Sequence, residues 1–198
     1  WTPDEVAYYY TGISDDPGVE PPDRPGTASI RRHVVGVAQR FDQVVYGPTG
    51  DSRMFLDAEL SHDGRWLVLT RQRGFSATDV LVADATESEL EFVAVVEGGE
   101  ARTFVEAVGD VLIAHTNLGA PRYRVMAIDV HDPGTAWREL VPQGEGTLSS
   151  VHIAGETMVL HSLVDAHSYL ELRTLDGREP RRLPLPGLGS VHALVTST

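Results

Sequence analysis

The sequence predicts an all-β fold assembled from repeated four-stranded antiparallel units, on three observations. Val and Thr are frequent, while helical periodicity is almost nowhere visible. Short runs of β-branched and aromatic residues alternate with Gly, Asp and Pro, the signature of strands and turns. A period then emerges from self-comparison. Gly64 precedes RWLVLT, Gly109 precedes DVLIAHT and Gly155 precedes ETMVLHS, at spacings of 45 and 46 residues. One strand later, LVAD (81–84), MAID (126–129) and LRTLD (172–176) repeat at nearly the same interval.

Taken along the chain, residues 7–11, 32–38 and 43–46 read as three strands of a first unit, about 1–47, whose opening strand is largely missing. Residues 14–27 (SDDPGVEPPDRPGT) interrupt it, with too much Pro and acid to form a ladder. Strands at 66–70, 79–84 and 92–96 belong to a unit spanning 54–98. The best helix candidate, 86–92, is short and has no clear apolar face. Strands at 111–116 and 122–130 fall in a unit at 101–143, and those at 157–161 and 168–174 in one at 147–186. Residues 190–196 (SVHALVT) read as the opening strand of a further unit, 189–198. Asp63-Gly64, Gly109-Asp110, Gly155-Glu156 and Asp176-Gly177 supply turns that accept positive φ. About four short strands per ~45 residues is the blade signature of a β-propeller. The expectation is therefore one propeller segment over 1–198, a partial ring of about four blades. Both ends, including the start at Trp1, cut through repeating units, as an excerpt of a longer chain would. Open ends expose unpaired strand edges, so the isolated chain is expected to be marginal and prone to associate.

Composition narrows the function classes. The chain has 198 residues, 41% apolar, enough for a sizeable core. Sixteen basic against 29 acidic residues give a net charge of −13. That argues against a nucleic-acid surface and against anionic membranes, where clustered positive charge supplies the affinity. Cys is absent, which removes disulfides, thiol catalysis and thiolate metal sites. All 16 basic residues are Arg, and Asn occurs once, at Asn117, a pattern that a GC-rich bacterial genome explains.

Catalytic motifs are sparse. No Gly-x-Ser-x-Gly, Walker A or Rossmann glycine pattern occurs. His161, Asp165 and His167 form H-x-x-x-D-x-H, but strand-turn-strand geometry need not bring them together, and no metal or cofactor is expected. His115 and His161 occupy equivalent positions in successive repeats, which points to packing. Asp84 with Glu87, and Asp129 with Asp132, read as turn formers at strand ends. The segment 71–75 (RQRGF) is the one with binding character, read as an exposed loop after a strand. Arg71 and Arg73 offer bidentate donors, Gly74 a bend and Phe75 an apolar platform suited to a peptide backbone or carboxylate. The competing reading pairs each Arg with a neighbouring carboxylate.

Several strings are more specific than a generic propeller. They are RRHVVG (31–36), QVVYG (43–47), LSHDGRWLVL (60–69), TNLGAPRYRVMAIDV (116–130), DPGTAWRELVPQ (132–143) and LPLPGLGSV (183–191). In this order and spacing they resemble the N-terminal propeller domain of the prolyl oligopeptidase family, over essentially the whole chain. The resemblance implies a seven-bladed propeller ahead of an α/β-hydrolase domain, with this chain holding its third to sixth blades. The Ser, Asp and His of that family's triad lie on the hydrolase domain, so the chain by itself is expected to be non-catalytic. The propeller would cap the cavity, exclude folded proteins and admit short proline-containing peptides cut after proline.

The resemblance also implies substrate-binding residues. Phe55 lies just before the segment AELS, and Gln72 and Phe75 match the loop after the next strand. The sequence departs from the pattern at Gln72, where the family can carry Arg; Arg73, one residue on, has the guanidinium. Oligopeptidase B, a relative cutting after Arg or Lys, shares strings like RHVVG, and a free-standing propeller scaffold is the non-enzymatic alternative. The expected compartment is cytoplasmic, with a periplasmic or secreted location left open.

Overall fold

The computed structural model describes residues 1–196 and contains fifteen strands, β1 to β15, in consecutive antiparallel sheets. The first sheet has three strands, β1 (Ala7–Gly12), β2 (Ser29–Val34) and β3 (Gln43–Tyr46), in the order β1-β2-β3. The second is β4 (Met54–Leu60), β5 (Trp66–Arg73), β6 (Ala77–Asp84) and β7 (Val93–Val96) in sequence order. The third comprises β8 (Thr103–Val108), β9 (Val111–Thr116), β10 (Arg124–Asp129) and β11 (Arg138–Val141). The fourth comprises β12 (Thr147–Ala154), β13 (Thr157–Val164), β14 (His167–Thr174) and β15 (Arg181–Leu183). Four-stranded meanders repeated in this way are propeller blades, and the first is one strand short. The chain divides into two compact units, Trp1–Leu112 with Asp129–Thr135, and Ile113–Ile128 with the chain from Ala136 onward.

Local chemistry explains each hairpin. Ser61 and Asp63 build the β4–β5 turn: the Ser61 hydroxyl donates to Asp63 Oδ1 at 2.5 Å, and the Arg65 N–H donates to the same oxygen. Thr174, Asp176 and Arg178 repeat this arrangement between β14 and β15. In both turns the residue after the aspartate is a glycine at positive φ, Gly64 at 76° and Gly177 at 83°. At Gly177 an added Cβ would also land on the Leu140 backbone, so two constraints coincide there. Asp84 and Asp129 are turn formers, accepting the N–H groups of Thr86 and His131.

Within the first unit, the inner layer between the first two sheets is apolar. Ala28 and Ile30 on one side meet Leu56, Leu69 and Leu81 on the other, with Tyr9, Tyr46 and Phe92 packed around them. A hydroxyl clasp joins β6 to β8. The Thr78 N–H donates to Ala101 O, and the Thr78 hydroxyl both donates to Thr103 O (2.8 Å) and accepts from the Thr103 N–H (2.7 Å). In the second unit Ser168 makes the same kind of clasp, its N–H donating to Gly189 O and its hydroxyl accepting from the Val191 N–H, both at 2.8 Å.

Several expected elements differ. Residues 32–38 do not form one strand: β2 begins at Ser29 and ends at Val34, because Val35 and Gly36 (φ 84°) turn the chain. Residues 86–92 contain no helix; they follow the Asp84 turn as irregular chain. The helices among the described residues are two short 3-10 segments, Pro21–Thr27 and Gln39–Phe41. The acidic, Pro-rich insertion thus carries local structure, with Gly26 buried against the backbone of Gly50 to Ser52. Residues 190–196 are not in a ladder, although the Ser168 clasp sets Gly189–Val191 where Ala101–Thr103 stand for the second sheet.

Candidate functional site

The residues singled out by sequence cluster at one end of the second sheet, where β5 turns into β6. Phe55 and Gln72 are direct cross-strand partners on β4 and β5, so their side chains share a face. Arg73 pairs with Met54 and projects to the opposite face, as the two-residue strand period requires. Phe75 sits in the turn, with Gly74 at φ 58° beside it. Both aromatics are open to solvent, Phe55 at 55% and Phe75 at 91% relative exposure. Gln72 is oriented by the turn, its Nε2 donating to Gly74 O at 2.8 Å.

The segment 71–75 is therefore not a loop throughout: Arg71 to Arg73 lie in the strand and the turn begins at Gly74. Nor are the two arginines free donors. Both reach Asp79, a carboxylate on β6 buried to 4% exposure. Arg71 Nη2 donates to Asp79 Oδ2 at 3.0 Å, and Arg73 Nη2 donates to Oδ1 at 3.2 Å. The Gly98 N–H donates to the same Oδ1 at 2.9 Å. Arg71 also donates to Tyr46 Oη and to Glu97, and Arg73 to Gly99 O at 2.6 Å. Burial opposes the charge of Arg71, but Glu97, Tyr46 and Asp79 outweigh it and hold its pKa above the ordinary guanidinium value. The charged fork attributed to this segment is thus committed to Asp79, with Arg71 lining the crevice beside Tyr46 and Arg73 reaching Gly99. What remains outward is apolar surface and the Gln72 amide.

Asp79 is the residue sequence reasoning passed over. Its signal was an acid opening the otherwise apolar run DVLVAD, directly across from Arg71 in the ladder.

The histidines are likewise held locally. His161 Nε2 lies 2.8 Å from Ser168 Oγ, and His167 Nδ1 lies 3.1 Å from Asp165 O, so the H-x-x-x-D-x-H residues face different partners. Burial, and secondarily His152, push the His161 pKa below its ordinary value. His115 Nε2 lies 3.0 Å from Leu148 O, and its ring lies 4.6 Å from that of Tyr123.

Comparison with known proteins agrees with this architecture. The family described as Prolyl oligopeptidase, N-terminal beta-propeller domain, matches residues 1–198. A prolyl endopeptidase of Elizabethkingia miricola is 23% identical over 160 residues, covering 80% of this chain and 22% of its own length. The dual-function macrocyclase-peptidase of Galerina marginata is 27% identical over 163 residues, covering 79% and 22%. Among solved structures, one from a study of two prolyl endopeptidases superposes with a TM-score of 0.92 at 38% identity, over 96% of this chain and 28% of that one. Prolyl oligopeptidase B from Galerina marginata, bound to a 35mer substrate, gives 0.83 at 25% identity, over 96% and 27%. The chain therefore spans about a quarter of the length of the proteins it resembles. With the match running from first residue to last, and blades of the same form, this chain belongs to the prolyl oligopeptidase N-terminal β-propeller family.

Proposed function

We propose that these blades screen peptides for a serine peptidase that cuts short chains on the carboxyl side of proline. The catalytic Ser, Asp and His would lie in an α/β-hydrolase domain of the same parent chain, and the propeller would act as a steric filter over the cavity. The observation carrying this reading is the family match over the entire chain. The aromatic rim supports it: exposed Phe55 and Phe75 flank a fixed Gln72 amide, a pairing of apolar platform and hydrogen-bonding group suited to an extended peptide. On this reading Phe55, Gln72 and Phe75 touch the part of the peptide distal to the scissile bond. Arg73 then acts as a positioning residue, bracing the strand end through Asp79 and Gly99. A cytoplasmic location is part of the same proposal.

The test uses the full-length protein and two proline-containing fluorogenic peptides, one of three residues and one of eight. Phe75→Ala and Phe55→Ala are expected to raise KM for the longer peptide roughly fivefold and to leave kcat and the short peptide unchanged. Equal effects on both peptides, or none on either, would remove these residues from distal recognition.

A further inference from the structure

A crevice in the second unit runs along the fourth sheet from Val164, where β13 turns into β14, to Arg173 on β14. Register alignment relates it to the Arg71 crevice of the second sheet. In the second sheet Leu56, Arg71 and Asp79 are cross-strand partners; in the fourth, Leu148, Ser162 and Tyr169 are. By the same count Gly146 stands where Met54 does, and Val164 where Arg73 does. The two depressions are of similar size, about 390 Å³ in the fourth sheet and 380 Å³ in the second. Their floors differ in chemistry. The one at the second sheet is floored by Met54 and the Arg71 guanidinium, which is tied to Asp79. Ser162 and Gly146 stand at those two positions in the other, which reaches down to the core residues Leu148 and Leu160.

The walls are rigid and aromatic. Tyr123 is held at φ 66°, a conformation that costs a bulky residue energy and persists only where its surroundings fix it. Its ring is braced by His115, and its N–H donates to Ala120 O at 2.7 Å. Opposite it, the Tyr169 ring lies beneath the Arg182 guanidinium, 4.9 Å from the ring centroid. At the mouth, Glu171 accepts from Arg173 Nε at 2.6 Å, while Arg173 Nη1 donates to Gly177 O. That pair, about one-fifth exposed on each side, fixes a carboxylate beside the apolar cavity. An apolar floor, two tyrosine rings and one oriented acceptor form a site for a ring or branched side chain whose own main-chain N–H can meet Glu171.

We infer that this crevice binds an apolar side chain, preferentially aromatic, of a peptide ligand. The inference rests on the peptide-screening reading above and specifies a second contact, separate from the Phe55–Phe75 rim, that selects for side-chain type. The alignment supplies its test, because the second sheet shows which position gives such a crevice a charged floor. Ser162→Arg gives the fourth sheet a guanidinium floor, and Val164→Arg does so independently should the first variant misfold.

The experiment measures binding of fluorescein-labelled Gly-Ser-Phe-Ser-Gly, and of its twin with Ala for Phe, to the full-length protein by fluorescence anisotropy. Neither peptide contains proline, so binding is read apart from cleavage. The Phe peptide is expected to bind about tenfold more tightly than its twin. Either arginine variant that keeps the wild-type circular dichroism should abolish that preference, with hydrolysis of the three-residue proline peptide unchanged. Equal binding of the two peptides by the wild-type protein, no binding of either, or a preference that survives both variants overturns the inference. Loss of the preference without any cleavage after proline would keep the crevice and sink the prolyl reading instead.

Discussion

At the scale of single residues, Asp79 decides the most. It is buried, and its two oxygens take donors from Arg71, Arg73 and Gly98. Asp79→Ala leaves two guanidinium groups facing each other without their shared carboxylate. Because Arg73 is 39% exposed and can recruit water, the expected loss lies near or below the low end for a broken buried pair, about 2–3 kcal/mol. Urea unfolding of wild type and variant checks this; a change within error would make the cluster ornamental. Asp79→Asn should recover part of the loss, since its amide oxygen still accepts. Gly177 offers a different kind of test. Gly177→Ala must adopt φ near 83° and push its methyl into the Leu140 backbone, so a drop of about 2 kcal/mol or more is expected. Gly155→Ala, with open space around it, should cost only the smaller conformational penalty.

At the scale of elements, titration of one strand pair gives a pH signature. His161 on β13 faces Ser168 on β14, and its pKa is held below the ordinary value of 6.5. A depressed histidine is protonated first in the unfolded chain. Its contribution is complete above about 6.5 and is lost as pH falls through the lower, folded value. Stability measured by urea unfolding should therefore decline between pH 7.5 and 5.5, and His161→Gln should flatten that slope. An unchanged slope would assign the decline to other groups. A second loss is expected below the ordinary carboxylate value of 3.8. Burial of Asp42 opposes its charge, but hydrogen bonds from Tyr10 and His33 win and hold its pKa low.

Strands were legible in the sequence wherever a run of β-branched residues ended at a glycine. β5, β9, β13 and β14 each border one of the Gly64, Gly109, Gly155 and Gly177 turns, and β5 joins β6 through Gly74. The rule misplaced β2, where the apolar run VVGV continues past the last ladder pair, Ala7 with Val34. Residues 190–196 have strand propensity but lie in no ladder, since propensity alone does not supply a hydrogen-bonding neighbour. The rim was partly legible. Phe55 and Gln72 fall together because register follows from the Asp63-Gly64 turn, but the inward commitment of Arg71 and Arg73 depends on Asp79, a residue distant from the motif. The 91-residue offset from Gly64 to Gly155 already lines up Ser162 and Val164 with Arg71 and Arg73, but that they border a crevice needed the folded sheet.

At the scale of the whole molecule, the proposed role is one section of a peptide filter. No Gly-x-Ser-x-Gly occurs in its sequence, and the chain matches about a fifth of the length of a prolyl endopeptidase. A net charge of −13 favours solubility and repels anionic polymers, in keeping with small peptides as the ligands. On the proposed function, the parent protein cleaves short peptides after proline. The most direct measurement compares hydrolysis, by the full-length protein, of two fluorogenic peptides that differ only in Pro or Arg before the scissile bond. Cleavage of the Pro peptide, with the Arg peptide left essentially intact, is the predicted result. Cleavage of neither by a well-folded protein, or of the Arg peptide alone, would contradict it.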